Sequence, residues 1–115
     1  FSKYDQIFSI PEQAKNVKTG WLAYPILINK EANFKRKDFQ IFLEKRDIQT
    51  RVVFTGNIIR QPMMNNVKYR TNKDGYPNSD AVMERGVLLP LHHGMTDDMF
   101  KRLHLTIEEF IQKNM

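Results

Sequence analysis

Two arginines, Arg51 and Arg60, are the side chains in this sequence best suited to hold an anion. A guanidinium presents a planar fork that meets phosphate or carboxylate through paired hydrogen bonds. The same fork serves a surface salt bridge, and composition leaves both readings open. Asn57 and Gln61 lie nearby, although Gly56-Asn57 alone reads as a turn. His92 and His93 are adjacent. Neighbouring side chains on a strand point to opposite faces, so the pair is poorly placed to share a metal. A third ligand such as His104 would have to come from a helix, and no metal site is expected. One of the paired histidines is expected to pack and the other to face an interface or a solvent cleft. The five glycines are scattered, with no GxGxxG or Walker pattern and no GxSxG elbow. No catalytic residue stands out.

The densest basic cluster is Lys35-Arg36-Lys37. Nucleic-acid binding calls for a continuous basic stripe with aromatic rings beside it. Phe34, Phe39 and Phe42 follow core spacing instead, so the cluster is expected to be a solvated helix face. A small basic nucleic-acid-binding module is the rival reading from another class. It would show affinity that falls steeply with added salt.

The elements that must position these groups can be read from hydrophobic spacing. Residues 21–28 are apolar at nearly every position, which reads as a strand covered on both faces. Pro25 removes one ladder donor and suggests an edge or a bulge. Residues 33–46 read as a helix, with Phe39, Phe42 and Leu43 on one stripe. A β-branched strand follows at 50–54, then an irregular segment at 55–77. A loop of that length in a small domain is usually functional or disordered. Its mixture of Asn57, Arg60, Gln61, Met63, Met64 and Tyr69 favours a contact surface. Asn78-Ser79-Asp80 reads as a helix cap, and Gly86 as the glycine that closes that helix. Residues 87–91 form the third expected strand. Thr96 caps a last helix, with Asp97 and Asp98 in its first turn and Phe100, Leu103, Ile107, Phe110 and Ile111 along one face.

The expected fold is thus α/β with α+β character: a small, mainly three-stranded sheet with helices packed mostly on one face. Residues 1–20 form a lead-in and 21–115 the domain. So small a core leaves little enclosed space for a pocket of roughly 300 Å³ or more, so an active site contained within the chain is not expected. Its 115 residues suit one core, and the start at Phe1 fits a piece of a larger protein. With no cysteine, thiolate metal sites and disulfides are excluded within the chain, and a reducing cytoplasm is compatible. The net charge of +5 allows an anionic partner. No signal peptide and no apolar run of membrane-spanning length are visible, so a membrane partner is not expected.

The run Thr50-Arg-Val-Val-Phe-Thr-Gly-Asn-Ile-Ile-Arg-Gln-Pro62 resembles a signature of the DegT/DnrJ/EryC1/StrS family of sugar aminotransferases and dehydratases. Leu88-Leu-Pro-Leu-His-His-Gly-Met-Thr96 resembles that family's late strand-turn-helix segment. Glu31-Ala-Asn-Phe-Lys-Arg-Lys-Asp-Phe39 and Gly20-Trp21 resemble its dehydratase branch. The likeness spans roughly residues 20–113. It implies the C-terminal small domain of a fold type I enzyme dependent on pyridoxal or pyridoxamine phosphate (PLP or PMP). A large domain outside this chain would hold the cofactor and the catalytic base. The parent would be a homodimer acting on a nucleotide-linked 4-keto sugar, most closely as a 3-dehydratase in deoxysugar or lipopolysaccharide biosynthesis, alternatively as an aminotransferase. Arg51, Asn57, Arg60 and Gln61 are expected to face the substrate cleft. No cofactor and no turnover are expected of this chain alone.

Overall fold

A computed structural model describes residues 1–115. Its centre is a four-stranded, fully antiparallel sheet in the order β1-β2-β4-β3. The strands are β1 (Phe8–Ser9), β2 (Tyr24–Ile28), β3 (Arg51–Val52) and β4 (Gly86–Leu89). The helices are α1 (Arg36–Glu44), α2 (Pro77–Arg85) and α3 (Asp97–Asn114). Register fixes which residues share a face. Phe8 opposes Ile28, Ile26 opposes Val87 and Tyr24 opposes Leu89. All but Tyr24 are buried, and α1 and α3 supply the rest of that core through Phe39, Leu43, Leu103, Ile107, Phe110 and Ile111. The rings meet at angles that put edge against face: Phe39 to Phe110 at 5.2 Å, Phe34 to Phe110 at 4.8 Å.

Residues 1–9, read from the sequence as part of a lead-in, belong to this core. Phe8 is 1% exposed and enters as the edge strand beside β2, while Phe1 stacks on Tyr24 at 5.9 Å. The sheet therefore has four strands where three were expected. A two-residue strand is too short to leave a periodic signal. β2 is internal, not an edge, yet Pro25 is tolerated. β1 reaches only Leu27 and Ile28, so at Pro25 the strand is paired with β4 alone.

Element ends depart from the sequence reading for local reasons. α1 starts at Arg36 and closes through Asp47, whose φ of 56° lets the Ile48 amide donate to the Leu43 carbonyl at 3.1 Å. α2 starts at Pro77, whose fixed φ suits a first helical position. Asn78, Ser79 and Asp80 are therefore inside the helix and do not cap it. Gly86 has φ −76° and runs straight into β4 instead of closing the helix in the left-handed region. It must still be glycine, because a Cβ there would lie 2.6 Å from the Val82 carbonyl oxygen. Thr96 does cap α3, accepting from the Met99 amide at 3.4 Å. Phe100, at 36% exposure, lies outside the buried stripe that begins at Leu103.

Across the α1–α3 seam, Arg46 lies 3.5 Å from the centre of the Phe42 ring and pairs with Glu109 at 2.8 Å. Lys113 and then Arg46, both donating to Glu109, hold its carboxyl below the usual carboxylate range. No helix is long and apolar enough to cross a membrane.

Candidate functional site

The start of the 55–77 segment is tied to α2 by a small polar knot. β3 ends because Phe54 turns into the left-handed region, with φ 46°, and the Gly56 amide closes back on the Val53 carbonyl at 3.0 Å. Gly56 itself has φ +66° and packs so closely on α2 that an added Cβ would lie 2.3 Å from the Met83 Cβ. Only glycine meets both demands. Two short 3₁₀ turns follow, Ile58–Arg60 and Pro62–Met64. The side-chain oxygen of Asn57 accepts from the Ile59 amide at 3.2 Å, and its amide group donates to Asp80 at 2.7 Å. Arg60 completes the knot with a two-point contact to the same carboxylate, at 3.0 and 2.9 Å. Donation from Arg60, and then from Asn57, holds the Asp80 carboxyl below its ordinary range. Gln61 donates to the Thr55 carbonyl at 2.9 Å.

The four residues singled out from the sequence are thus placed differently from one another. Asn57 is 3% exposed with both polar ends engaged, so it anchors the loop and does not present a free amide to a cleft. Gln61 closes the same loop. Arg60 turns Nε and Nη2 to Asp80, and 61% of its side chain remains exposed. Arg51 stands apart on β3, exposed and outside every ion pair. Asp80 is the residue sequence reading missed. It looked like part of a helix cap, and its partners lie 20 and 23 residues away.

Arg51 borders an open groove of about 680 Å³ on the sheet face opposite the core. Pro25 and Leu88, which oppose each other across β2 and β4, form its floor. Trp21, Leu22, Phe54 and Leu91 flank it, and His92 joins Arg51 as its second ionisable side chain. The small size of the chain limits enclosed space, not surface space. His92 and His93 are both exposed, with ring centres 6.4 Å apart, and His92 Nδ1 accepts from the Gly94 amide. His104 instead packs its ring edge-on against Phe1. No three His, Asp or Glu side chains converge as metal ligands.

The basic cluster is split. Lys35 and Lys37 are exposed, whereas Arg36 is half-buried and donates to the Met83 carbonyl at 2.6 Å, bracing α1 on α2. Phe34, Phe39 and Phe42 pack into or against the core. The cluster therefore has no aromatic platform beside it for stacking bases.

The chain belongs to the DegT/DnrJ/EryC1/StrS aminotransferase family, whose model matches residues 1–108. It is 35% identical over 105 residues to a dTDP-4-dehydro-2,6-dideoxy-D-glucose 3-dehydratase of Saccharopolyspora spinosa, covering 91% of this chain and 22% of that protein. It is 29% identical over 109 residues to the lipopolysaccharide biosynthesis protein RfbH of Salmonella typhimurium, covering 95% of this chain and 25% of that one. Among solved structures, GDP-4-keto-6-deoxy-D-mannose-3-dehydratase from E. coli, with bound hydrated PLP, superposes with a TM-score of 0.77 at 18% identity. That match covers 90% of this chain and 26% of the other. The chain spans about a quarter of the length of these relatives, and its fold is that of a minor part of fold type I PLP enzymes.

A lysine amine, which forms the Schiff base with PLP in aminotransferases, is absent from the lining of the groove beside Arg51, so the groove does not by itself supply that covalent link.

Proposed function

We propose that these residues are the C-terminal small domain of a PLP- or PMP-dependent sugar-nucleotide 3-dehydratase. The parent enzyme is a cytoplasmic homodimer that removes the 3-hydroxyl from a nucleotide-linked 4-keto-6-deoxyhexose in deoxysugar or lipopolysaccharide biosynthesis. The observation that carries this reading is the 35% identity to a sugar 3-dehydratase over 105 residues, a span that must include the 50–62 run. The cofactor and the catalytic base belong to the larger part of the parent protein. Bound there, the cofactor supplies the electron sink for the elimination.

The role of this chain is to form one wall of the cleft and to hold the anionic substrate. Arg51 offers an unpaired fork to a phosphate or a sugar hydroxyl. Arg60 keeps Nη1 available while Asp80 fixes its orientation. Asn57 and Gln61 serve the substrate by making the loop rigid, so that both arginines are held before the ligand arrives.

The test is product analysis by mass spectrometry. The full-length protein, loaded with cofactor, is supplied with a nucleotide-linked 4-keto-6-deoxyhexose. Loss of the 3-hydroxyl is the expected outcome. The second reading, a sugar aminotransferase, is favoured by the description of the matching family. It predicts an amino sugar with the 3-hydroxyl retained.

A further inference from the structure

A second open groove, of about 710 Å³, lies where the end of β2 meets α1 and α2. It shares no lining residue with the groove beside Arg51. Five cations line it: Lys30, Lys35, Arg36, Lys37 and Arg85. Two carboxylates, Asp80 and Glu84, line it too. Asp80 is already engaged by Arg60 and Asn57. Glu84 and the five cations take part in no ion pair. Both arginines are half-buried, a position where a charged group usually has a charged partner. Here backbone carbonyls hold them instead. Arg36 Nη1 donates to the Met83 carbonyl at 2.6 Å, and Arg85 Nη1 donates to the Ile28 carbonyl at 2.5 Å. A neutral acceptor fixes the guanidinium but leaves its charge uncompensated. In each arginine, Nε and Nη2 make no hydrogen bond within the chain. Gathering like charges destabilises a compact fold, and an anion bound among them offsets that repulsion.

We propose that this groove binds a small, multiply charged phosphate anion of the pyrophosphate class. Its volume falls in the range of roughly 300–1,000 Å³ that small-molecule sites occupy. Lysines hold phosphate as point charges and arginines as forks, and the groove offers both. Carbonyl bonds place the two forks before the ligand arrives, which lowers the entropy lost on binding. The aromatic ring in the lining, Phe34, is half-buried and meets Phe110 edge to face at 4.8 Å. It is not free to stack on a base, so phosphate charge and not a nucleobase is what the groove reads. Glu84 opposes the anion, which gives the proposal a test of opposite sign. The site stands whatever reaction the parent enzyme catalyses.

The test is calorimetric titration of the full-length protein with inorganic pyrophosphate, at fixed ionic strength and without divalent cations. One pyrophosphate per chain is expected, bound equally well when a nucleotide-linked 4-keto sugar is present in excess. Replacing Lys35 and Lys37 together by glutamine should weaken binding at least about tenfold. Replacing Lys68 and Lys101, two exposed lysines outside the groove, removes the same charge and should change it less than about twofold. Glu84→Gln should tighten it. Absence of binding at millimolar pyrophosphate would overturn the proposal. Equal weakening in the two double variants would overturn it by reducing the effect to the net charge of the surface. Displacement of pyrophosphate by the nucleotide-linked sugar would overturn it by assigning the anion to the substrate's own site.

Discussion

The two faces of one sheet are built from the same four strands, and only one is finished. On the inner face, Phe8, Ile26, Ile28, Val87 and Leu89 meet two amphipathic helices, and every one of them is 3% exposed or less. On the outer face, Pro25 and Leu88 floor an open groove between Trp21 and Phe54. The inner face is self-sufficient hydrophobic burial. The outer face is equally apolar, yet Pro25 and Leu88 are only half-buried, and Leu22 and Phe54 beside them are exposed. That contrast separates the part of the sheet that α1 and α3 bury from the part that borders the groove.

The largest expected effect lies on the finished face. Phe39→Ala removes a ring with no exposure that packs against Phe8, Phe34 and Phe110. It should cost about 3–5 kcal/mol. Native-state hydrogen exchange would show this as lost protection across β2, β4 and α3 together. Loss confined to α1 would mean that the inner face is not one cooperative unit.

Next in size is Gly56→Ala, which adds both a left-handed penalty and a clash with Met83. A loss of about 1–3 kcal/mol is expected. Asn57→Ala should follow at about 1–2 kcal/mol, because it removes a cap and one of the three hydrogen bonds that Asp80 accepts. In both variants, exchange should accelerate in residues 55–65 before it does in β2. The reverse order would show that the knot supports the core and not the outer rim.

The smallest effect is the acid response of the same knot. The folded Asp80 carboxyl titrates below its unfolded value, so its contribution is fully present above the usual carboxylate range of about 4. It is lost as pH falls through the lower folded value. Below about pH 4 the 55–65 amides should therefore lose protection, and Asp80→Asn should abolish that pH dependence. An unchanged profile in the Asn variant would assign the acid sensitivity to Glu108 or Glu109, whose carboxyls are also held low. Arg60 is exposed, and Arg60→Ala should have the smallest effect on stability of these variants.

What could be read from the sequence follows the range of each signal. α1 and α3 repeat an apolar stripe over several turns, and Thr96 caps α3 where its type and position say it should. β1 was invisible, because Phe8 and Ser9 are too few to show a period. Asn57 read as a turn residue, and its neighbours did suggest a polar constellation. That it is buried depends on Asp80, which sits 23 residues away and becomes a partner only when α2 packs beside the loop. Arg51 and Arg60 looked equivalent as two forks in one run. Tertiary structure separates them, giving one a carboxylate and leaving the other at the groove.

The separation of those two arginines is also where the functional account is most exposed. Arg51→Ala in the full-length enzyme, assayed on a nucleotide-linked 4-keto-6-deoxyhexose, should raise KM about ten- to a hundredfold, the loss of a charge-assisted contact. Its melting temperature should match that of the unaltered enzyme. An unchanged KM with a lowered melting temperature would contradict the account and make Arg51 a structural residue.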